Sequence, residues 1–146
     1  MDDPLTFVDT NVWVYAYDPQ EPEKHVEAKD YLAKLTRPVI SAQVMNEFHA
    51  VATRKLKPTL DDDAIRGILE NMASLQVTAI HADLVLEAQR LRVAHMISPW
   101  DALIVAAART AGCDTIATED LPSGGTIAGM RIENPFASLA PEEGQR

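Results

Sequence analysis

Short apolar runs alternate along the chain with longer stretches in which apolar residues recur every three or four positions. The short runs predict β-strands at 5–8, 38–40, 76–80 and 115–118, with a fifth at 130–132. The longer stretches predict helices at 10–17, 23–35, 42–56, 59–74, 82–96 and 99–112. This alternation predicts an α/β domain in which helices cover both faces of a short, mostly parallel sheet of four to five strands.

Polar residues mark three of the predicted helix starts. Ser41 is a favourable N-cap residue for the third helix, directly after the second strand. Residues 59–62 (Thr-Leu-Asp-Asp) have a capping-box pattern, which predicts that the fourth helix opens there. Ser98 followed by Pro99 predicts the start of the sixth helix, because proline fits the first helical position.

The length and composition indicate one globular domain, since the chain has 146 residues and 47% of them are hydrophobic. We expect residues 1–138 to form that domain and residues 139–146 to form a polar C-terminal tail. The single cysteine, Cys113, excludes an intrachain disulfide and suits a reducing compartment. The N-terminus lacks a basic segment, and no apolar run approaches the ~20 residues of a membrane span. We therefore expect a cytoplasmic protein that does not associate with membranes.

The chain is acidic, with a net charge of −9 at pH 7 and a sequence pI near 4.8. Proteins that coat nucleic acids through a general electrostatic footprint are usually basic, so this class is disfavoured. The charge does not exclude an enzyme whose acidic site holds cations that meet phosphates. An excess of acid also suits a basic partner protein.

Acidic residues lie where the chain leaves the predicted sheet. They are Asp9 after the first strand, Glu47 two turns into the helix after the second, Asp101 in the first turn of the sixth helix, and Glu119 and Asp120 after the fourth strand. Ligands of open parallel sheets bind at the carboxyl ends of the strands, so we expect these side chains to converge. Each acid alone has an ordinary explanation as a helix cap or a surface residue. Asp114 precedes the fourth strand and is excluded, because it is expected at the opposite edge.

Carboxylates that converge repel one another unless a cation lies among them. Oxygen ligands without Cys or His are the set that Mg²⁺ and Mn²⁺ prefer. Such ions act on phosphate esters by activating water and stabilising charge. Thr10, Asn11 and Thr118 are placed to hold carboxylates or water in position.

Four segments carry a resemblance to a known family: Asp9-Thr10-Asn11-Val12, residues 40–48 (Ile-Ser-x-x-Val-x-x-Glu-Phe), Trp100-Asp101-Ala102-Leu103-Ile104 and Thr118-Glu119-Asp120-Leu121. In this order and spacing they resemble a PIN domain, and more narrowly a VapC-type toxin of bacterial toxin–antitoxin pairs. Residues 132–136 (Ile-x-Asn-Pro-Phe) are similar to one branch of that family. The resemblance covers about residues 5–136.

The resemblance implies a PIN fold, which is a three-layer α/β/α sandwich, and a Mg²⁺-dependent endoribonuclease in which Mn²⁺ can substitute. By position, the acidic quartet would be Asp9, Glu47, Asp101 and Asp120, with Asp9 and Asp101 the most direct metal ligands. Thr118 would be the hydroxyl before the last acid. Either Glu119 or Asp120 could face the metal, and the family's spacing favours Asp120. The resemblance further implies a homodimer and a cognate antitoxin that blocks the site.

The RNA substrate would need basic residues to hold its backbone, because the acids cannot. Arg54, Lys55 and Lys57 form the densest basic run and are our candidates, with Arg90 and Arg92 as a second option. We expect Trp100 to be a core or rim residue rather than a platform for base stacking. Apolar helix faces within 23–35 and 60–74 are the candidate dimer contacts.

The sequence disfavours two other enzyme classes and leaves one alternative to a nuclease open. A haloacid-dehalogenase-type phosphatase also has an Asp after its first strand, but it usually needs a second Asp where this chain has Asn11. A phosphorelay receiver needs an Asp after the third strand, and residues 78–80 (Thr-Ala-Ile) offer none. The alternative from another class is a catalytically silent PIN scaffold that acts as an antitoxin- or adaptor-binding module.

Overall fold

A computed structural model describes residues 4–139 of the chain. Within this range the strands are β1 (Leu5–Val8), β2 (Arg37–Ser41), β3 (Gln76–Thr78), β4 (Thr115–Ala117), β5 (Thr126–Ile127) and β6 (Met130–Glu133). The helices are α1 (Thr10–Ala16), α2 (Pro22–Lys34), α3 (Ala42–Lys55), α4 (Asp62–Ala73), α5 (Ala82–His95) and α6 (Pro99–Thr110). The predicted three-layer α/β/α class with a mostly parallel sheet is confirmed.

The sheet has the strand order β3-β2-β1-β4-β6-β5, and all its pairs are parallel except the last. It contains one strand more than the four to five expected, because β5 was not predicted. That strand is only two residues long, too short to show an alternating pattern. It pairs with β6 through a hairpin turn in which Ala128 and Gly129 both have positive φ angles, the backbone form that tight hairpins favour.

The start of the fourth helix differs from the sequence prediction. Asp61 is the N-cap residue of α4, since its Oδ1 accepts a 2.8 Å hydrogen bond from the Ala64 backbone N–H. The capping box predicted at Thr59 is therefore wrong. Leu60 N–H instead donates to the carbonyl of Leu56 at 2.8 Å, so this stretch is a turn that follows the end of α3. The other predicted helix boundaries agree with the structure to within about two residues.

The helix α6 is the buried centre of the molecule. Ser98 caps it by accepting a hydrogen bond from Asp101 N–H at 3.0 Å, and Pro99 occupies its first turn. Nearly every following side chain from Ala102 to Ala108 is buried. This packing fixes the position of Asp101 at the exposed end of a rigid element. Although α6 is strongly apolar, no helix within residues 4–139 is long and apolar enough to cross a membrane.

The single domain predicted for residues 1–138 stays a prediction. The polar tail predicted for residues 139–146 lies outside the described part of the chain, apart from Leu139.

Candidate active site

Asp9 is a buried carboxylate at the carboxyl end of β1. Its side chain is only 7% exposed, and its Oδ1 accepts a 2.7 Å hydrogen bond from Thr10 N–H. Its Oδ2 accepts a 2.8 Å hydrogen bond from the Thr118 hydroxyl. Burial raises the pKa of Asp9 from 3.8 to about 6, although these two hydrogen bonds oppose the shift. The negative charges of Asp120 and Glu47 add to the increase.

Glu47 is half-buried on α3 and is held by two neutral donors. Thr10 Oγ1 donates to Glu47 Oε2 at 3.1 Å, and Gln43 Nε2 donates to Glu47 Oε1 at 2.7 Å. The same Gln43 amide lies 3.4 Å from the backbone carbonyl oxygen of Trp100, which links α3 to the first turn of α6. These contacts fix the carboxylate without neutralising its charge.

We call the carboxylates of Asp9, Glu47, Asp101 and Asp120 the acidic edge of the sheet. Asp101 is partly exposed in the first turn of α6, and its backbone N–H, rather than its carboxylate, makes the cap contact with Ser98. Asp120 is exposed in the loop after β4, where its backbone N–H donates to Thr118 Oγ1 at 3.0 Å. The pKa of Asp120 is raised by partial burial first, and then by the charges of Asp101, Glu119 and Glu47.

Glu119 and Asp120, which the sequence left as alternatives, have different surroundings. Glu119 Oε2 forms an ion pair with Lys24 Nζ at 3.0 Å. Its Oε1 accepts hydrogen bonds from the Tyr15 hydroxyl at 3.1 Å and from Asn11 Nδ2 at 3.4 Å. Asp120 has no such partner among the described residues, and its charge acts on the other acids instead. Of the two neighbours, these contacts therefore favour Asp120 as the acid that belongs with Asp9 and Asp101.

The structure brings the four predicted acids to one edge of the sheet but does not hold them in contact. Among residues 4–139, no three Asp, Glu, His or Cys side chains lie close enough together to share a metal ion. Within the same range, none of Asp9, Glu47, Asp101 and Asp120 forms an ion pair. Carboxylates this close still act on one another, since Asp120 and Glu47 raise the pKa of Asp9.

The basic residues predicted to bind RNA lie at the exposed end of α3. Arg54 and Lys55 are exposed in its last turn, and Lys57 forms a 2.9 Å ion pair with Asp62. Arg54 is seven residues beyond Glu47, which is about 10 Å along the helix axis. Trp100 is 69% exposed, so it is not part of the core.

Three side chains at this edge were not anticipated from the sequence: Lys24, Tyr15 and Gln43. Gln43 carried a local signal, because it lies four residues before Glu47 and such pairs face each other on a helix. Lys24 and Glu119 are 95 residues apart in sequence. Only the tertiary fold reveals this ion pair.

A substitution at Thr118 tests what determines the pKa of Asp9. The hydrogen bond from the Thr118 hydroxyl favours the charged form of Asp9, so Thr118→Val is expected to raise the pKa of Asp9 above its present value of about 6. Carboxyl ¹³C NMR titration of the metal-free protein measures this value. Thr115→Val removes another buried hydroxyl at the start of β4 and is expected to leave the titration unchanged. A fall in the pKa, or equal shifts in both variants, would contradict the assignment.

The solved structures that resemble the chain share its three-layer fold. A toxin–antitoxin complex from Klebsiella pneumoniae matches with a TM-score of 0.66 and 19% identity, over 90% of this chain and 98% of that one. VapC20 of Mycobacterium tuberculosis, a sarcin-ricin loop cleaving toxin, matches with a TM-score of 0.65 and 21% identity. The match covers 86% of this chain and 98% of that one. A DNA-bound VapBC complex from Salmonella typhimurium matches with a TM-score of 0.63 and 20% identity, over 90% of this chain and 98% of that one.

These likenesses show the class of fold, an α/β domain built on a mostly parallel sheet, and in this chain the predicted acids follow the carboxyl ends of its strands. The chain belongs to the PIN domain family, whose model matches residues 6–121. No curated protein matches the chain significantly.

Proposed function

We propose that this PIN domain is a metal-dependent endoribonuclease and the toxin of a VapBC-like toxin–antitoxin pair. Its structural neighbours include a toxin that cleaves the sarcin-ricin loop and several toxin–antitoxin complexes. Their sequence identities of about 20% support the fold. The proposed chemistry rests on the residues of this chain.

The observation that carries the proposal is the contrast between the acids at the sheet edge. Glu119 has a lysine partner, whereas Asp9, Glu47, Asp101 and Asp120 have no cationic partner among the described residues. Unpaired carboxylates, one of them buried, are a costly arrangement that a divalent cation would offset. An all-oxygen set suits Mg²⁺, with Mn²⁺ able to replace it.

The side chains at this edge offer the carboxylate oxygens that such an ion binds. Asp9 would hold it from a fixed position, and the partly or fully exposed side chains of Asp101 and Asp120 are free to turn toward it. Glu47, held by Thr10 and Gln43, would contribute from the other side. A bound Mg²⁺ supplies water activation and stabilises charge on the phosphate oxygens. The proposed reaction is in-line hydrolysis of an RNA phosphodiester, which leaves a 5′-phosphate and a 3′-hydroxyl.

The threonines and Asn11 support these acids rather than touching the substrate. Thr118 orients Asp9, Thr10 contacts both Asp9 and Glu47, and Asn11 contacts Glu119. Arg54 and Lys55 would bind the RNA backbone. Lys57 is also exposed, but it forms an ion pair with Asp62. The antitoxin would be a partner with a basic segment, because the unpaired acids and the net charge of −9 attract one. Such a pair would act in the cytoplasm.

RNA cleavage tests the proposal directly. Asp101→Asn is expected to lower the Mg²⁺-dependent cleavage rate roughly 1,000-fold, because a neutral amide cannot replace the anionic ligand. Asp114→Asn is the matched control, since Asp114 contacts Leu5 N–H at the opposite edge of the sheet. Its rate should stay within about twofold of wild type. Equal rates for wild type and Asp101→Asn on varied RNAs would contradict the nuclease assignment.

A second candidate function needs no metal ion at the acids. This candidate is a silent PIN scaffold that binds an antitoxin or adaptor and cleaves nothing. It predicts that wild type and the Asp101→Asn variant are equally inert at all Mg²⁺ concentrations, so the same assay distinguishes the two functions.

We also propose that the protein is a homodimer, with its interface on α5 and the start of α6 rather than on the faces within 23–35 and 60–74. Five of the six exposed large apolar side chains of the described residues lie there: Val85, Leu86, Val93, Met96 and Trp100. In contrast, α4 buries its apolar residues in the core, and α2 exposes only Val26 among the large ones.

Light scattering coupled to size-exclusion chromatography tests this interface. Wild type is expected at about 32 kDa, twice the 16.0 kDa of the chain, and Val93→Glu at the monomer mass. Val26→Glu is the matched control, because Val26 and Val93 are 55% and 57% exposed. A monomeric wild type would remove the dimer, and dissociation by Val26→Glu alone would move the interface to α2.

A further inference from the structure

Lys24, on α2, lies beside the acidic edge but pairs with an acid outside the proposed quartet. We propose that Lys24 is a positioning residue, which holds Glu119 away from the acidic edge and thereby directs Asp120 toward Asp9 and Asp101. This inference rests on the proposed metal-dependent function and assigns a role that the quartet alone does not explain.

The contacts of Glu119 show how it is held. Lys24 Nζ lies 3.0 Å from Glu119 Oε2, and the Tyr15 hydroxyl donates to Oε1 at 3.1 Å. Asn11 adds a weaker contact at 3.4 Å. The Glu119 side chain is only 18% exposed. Both carboxylate oxygens are therefore engaged, and the side chain has little freedom to turn toward Asp9.

Lys24 is itself fixed by aromatic rings. Its ammonium lies 4.7 Å from the centre of the Tyr15 ring and 5.5 Å from that of Phe136. The two rings pack edge to face with their centres 5.1 Å apart. Lys24 Nζ also donates to the Tyr15 hydroxyl at 3.3 Å. These contacts hold the ammonium in one place, since it combines ion pairing with attraction to the ring faces.

The loop that carries Glu119 and Asp120 is anchored on both sides, because Thr118 and Leu121 are buried. Thr118 N–H donates to the Glu133 carbonyl at 3.0 Å, and Asp120 N–H donates to Thr118 Oγ1 at 3.0 Å. The Asp120 side chain makes no hydrogen bond with any described residue. Between these two anchors, Glu119 is the residue whose side chain is held by contacts with described residues, so the direction of Asp120 depends on where Glu119 is held.

A role in positioning and a role through charge alone predict opposite results. If Lys24 acted only through its charge, its removal would make the edge more negative, and a divalent cation would bind more tightly. If Lys24 positions the loop, its removal frees Glu119, lets Asp120 turn away, and weakens cation binding. The sign of the change therefore distinguishes the two roles.

Calorimetric titration with Mg²⁺ alone measures that sign. Lys24→Met keeps an unbranched side chain against the rings, and we expect about tenfold weaker Mg²⁺ binding. Lys24→Arg retains the charge and the ring contact and is expected to stay within about threefold of wild type. Lys29→Met is the matched control: it removes the same charge from an exposed position on α2 that has no ion pair in the described range. Binding by Lys24→Met that equals or exceeds that of Lys29→Met overturns the proposal.

Hydrogen exchange of the metal-free protein separates this inference from the proposed function. The hydrogen-bonded amides of Thr118 and Asp120 are expected to exchange about tenfold faster in Lys24→Met than in Lys29→Met, and Lys24→Arg should restore slow exchange. Unchanged exchange in Lys24→Met contradicts the positioning role whether or not the protein is a nuclease. If wild type binds no Mg²⁺ while this segment still loosens, the metal function fails and the role of Lys24 in holding the loop stands.

Discussion

Asp9→Asn is expected to abolish RNA cleavage and at the same time to stabilise the metal-free protein. Activity should fall roughly 1,000-fold, because the fixed anionic ligand is lost. Stability should rise because Asp9 is charged at pH 7.5 despite burial that raises its pKa from 3.8 to about 6. That shift corresponds to at most about 3 kcal/mol of unfolding free energy. Cleavage assays and urea denaturation in EDTA measure the two effects.

Asparagine preserves the other contacts of Asp9. It is as good an N-cap residue as aspartate, so the hydrogen bond from Thr10 N–H can remain. Its amide can donate to Thr118 Oγ1 in place of the present contact. Asp114→Asn is again the control and should change neither activity nor stability appreciably. A variant at Asp9 that is less stable than wild type would show that the carboxylate contributes to folding rather than to a cation site.

Mg²⁺ is expected to reverse a loss of stability that the metal-free protein suffers as pH rises. Between about pH 4 and 6 the folded state keeps the Asp9 proton that the unfolded state has released. The free energy of unfolding therefore falls as pH rises through this window, and the loss persists above it. The raised pKa of Asp120 acts in the same direction. A cation at the edge favours the charged carboxylates and should remove the decline.

Thermal unfolding from pH 5 to 8, with and without Mg²⁺, measures this linkage. Mg²⁺ at about 100 times its dissociation constant should add about 2.7 kcal/mol to wild type near neutral pH and much less to Asp9→Asn. At pH 5 the gain should shrink, because protons compete for Asp9. Equal stabilisation of wild type and variant at every pH would mean that Mg²⁺ acts elsewhere, for example at the exposed acids 61–63.

The positions of the acids were predictable because local signals and one topological rule suffice. Asp9 follows a strand, and Ser98-Pro99 marks the first turn that carries Asp101. The carboxyl ends of parallel strands share an edge, so the acids had to meet on one side of the sheet. Asp114, excluded by the same rule, lies at the other edge with Leu5 N–H. The start of α4 was wrong because Thr59 and Asp61 are both acceptable caps, and only the turn after Leu56 selects between them.

The surroundings of each acid were not predictable. Glu119 and Asp120 are adjacent in sequence, and nothing local says that a lysine on α2 pairs with one and leaves the other unpaired. The hydrogen bond from Thr118 to Asp9 joins residues 109 positions apart. The exposed apolar face of α5 also escaped prediction, because its apolar residues lie around the helix rather than along one stripe. These features depend on packing between distant segments, which a periodicity argument does not specify.

Anomalous diffraction from crystals soaked in Mn²⁺ tests most directly whether the gathered carboxylates form a cation site. The account predicts a strong peak at the carboxyl edge of the sheet, with an Asp9 oxygen and oxygens of Asp101 or Asp120 within about 2.2 Å of the ion. Crystals of Asp9→Asn should lose this peak. Manganese found only at surface acids, with the edge carboxylates unmoved and unliganded, would contradict the account.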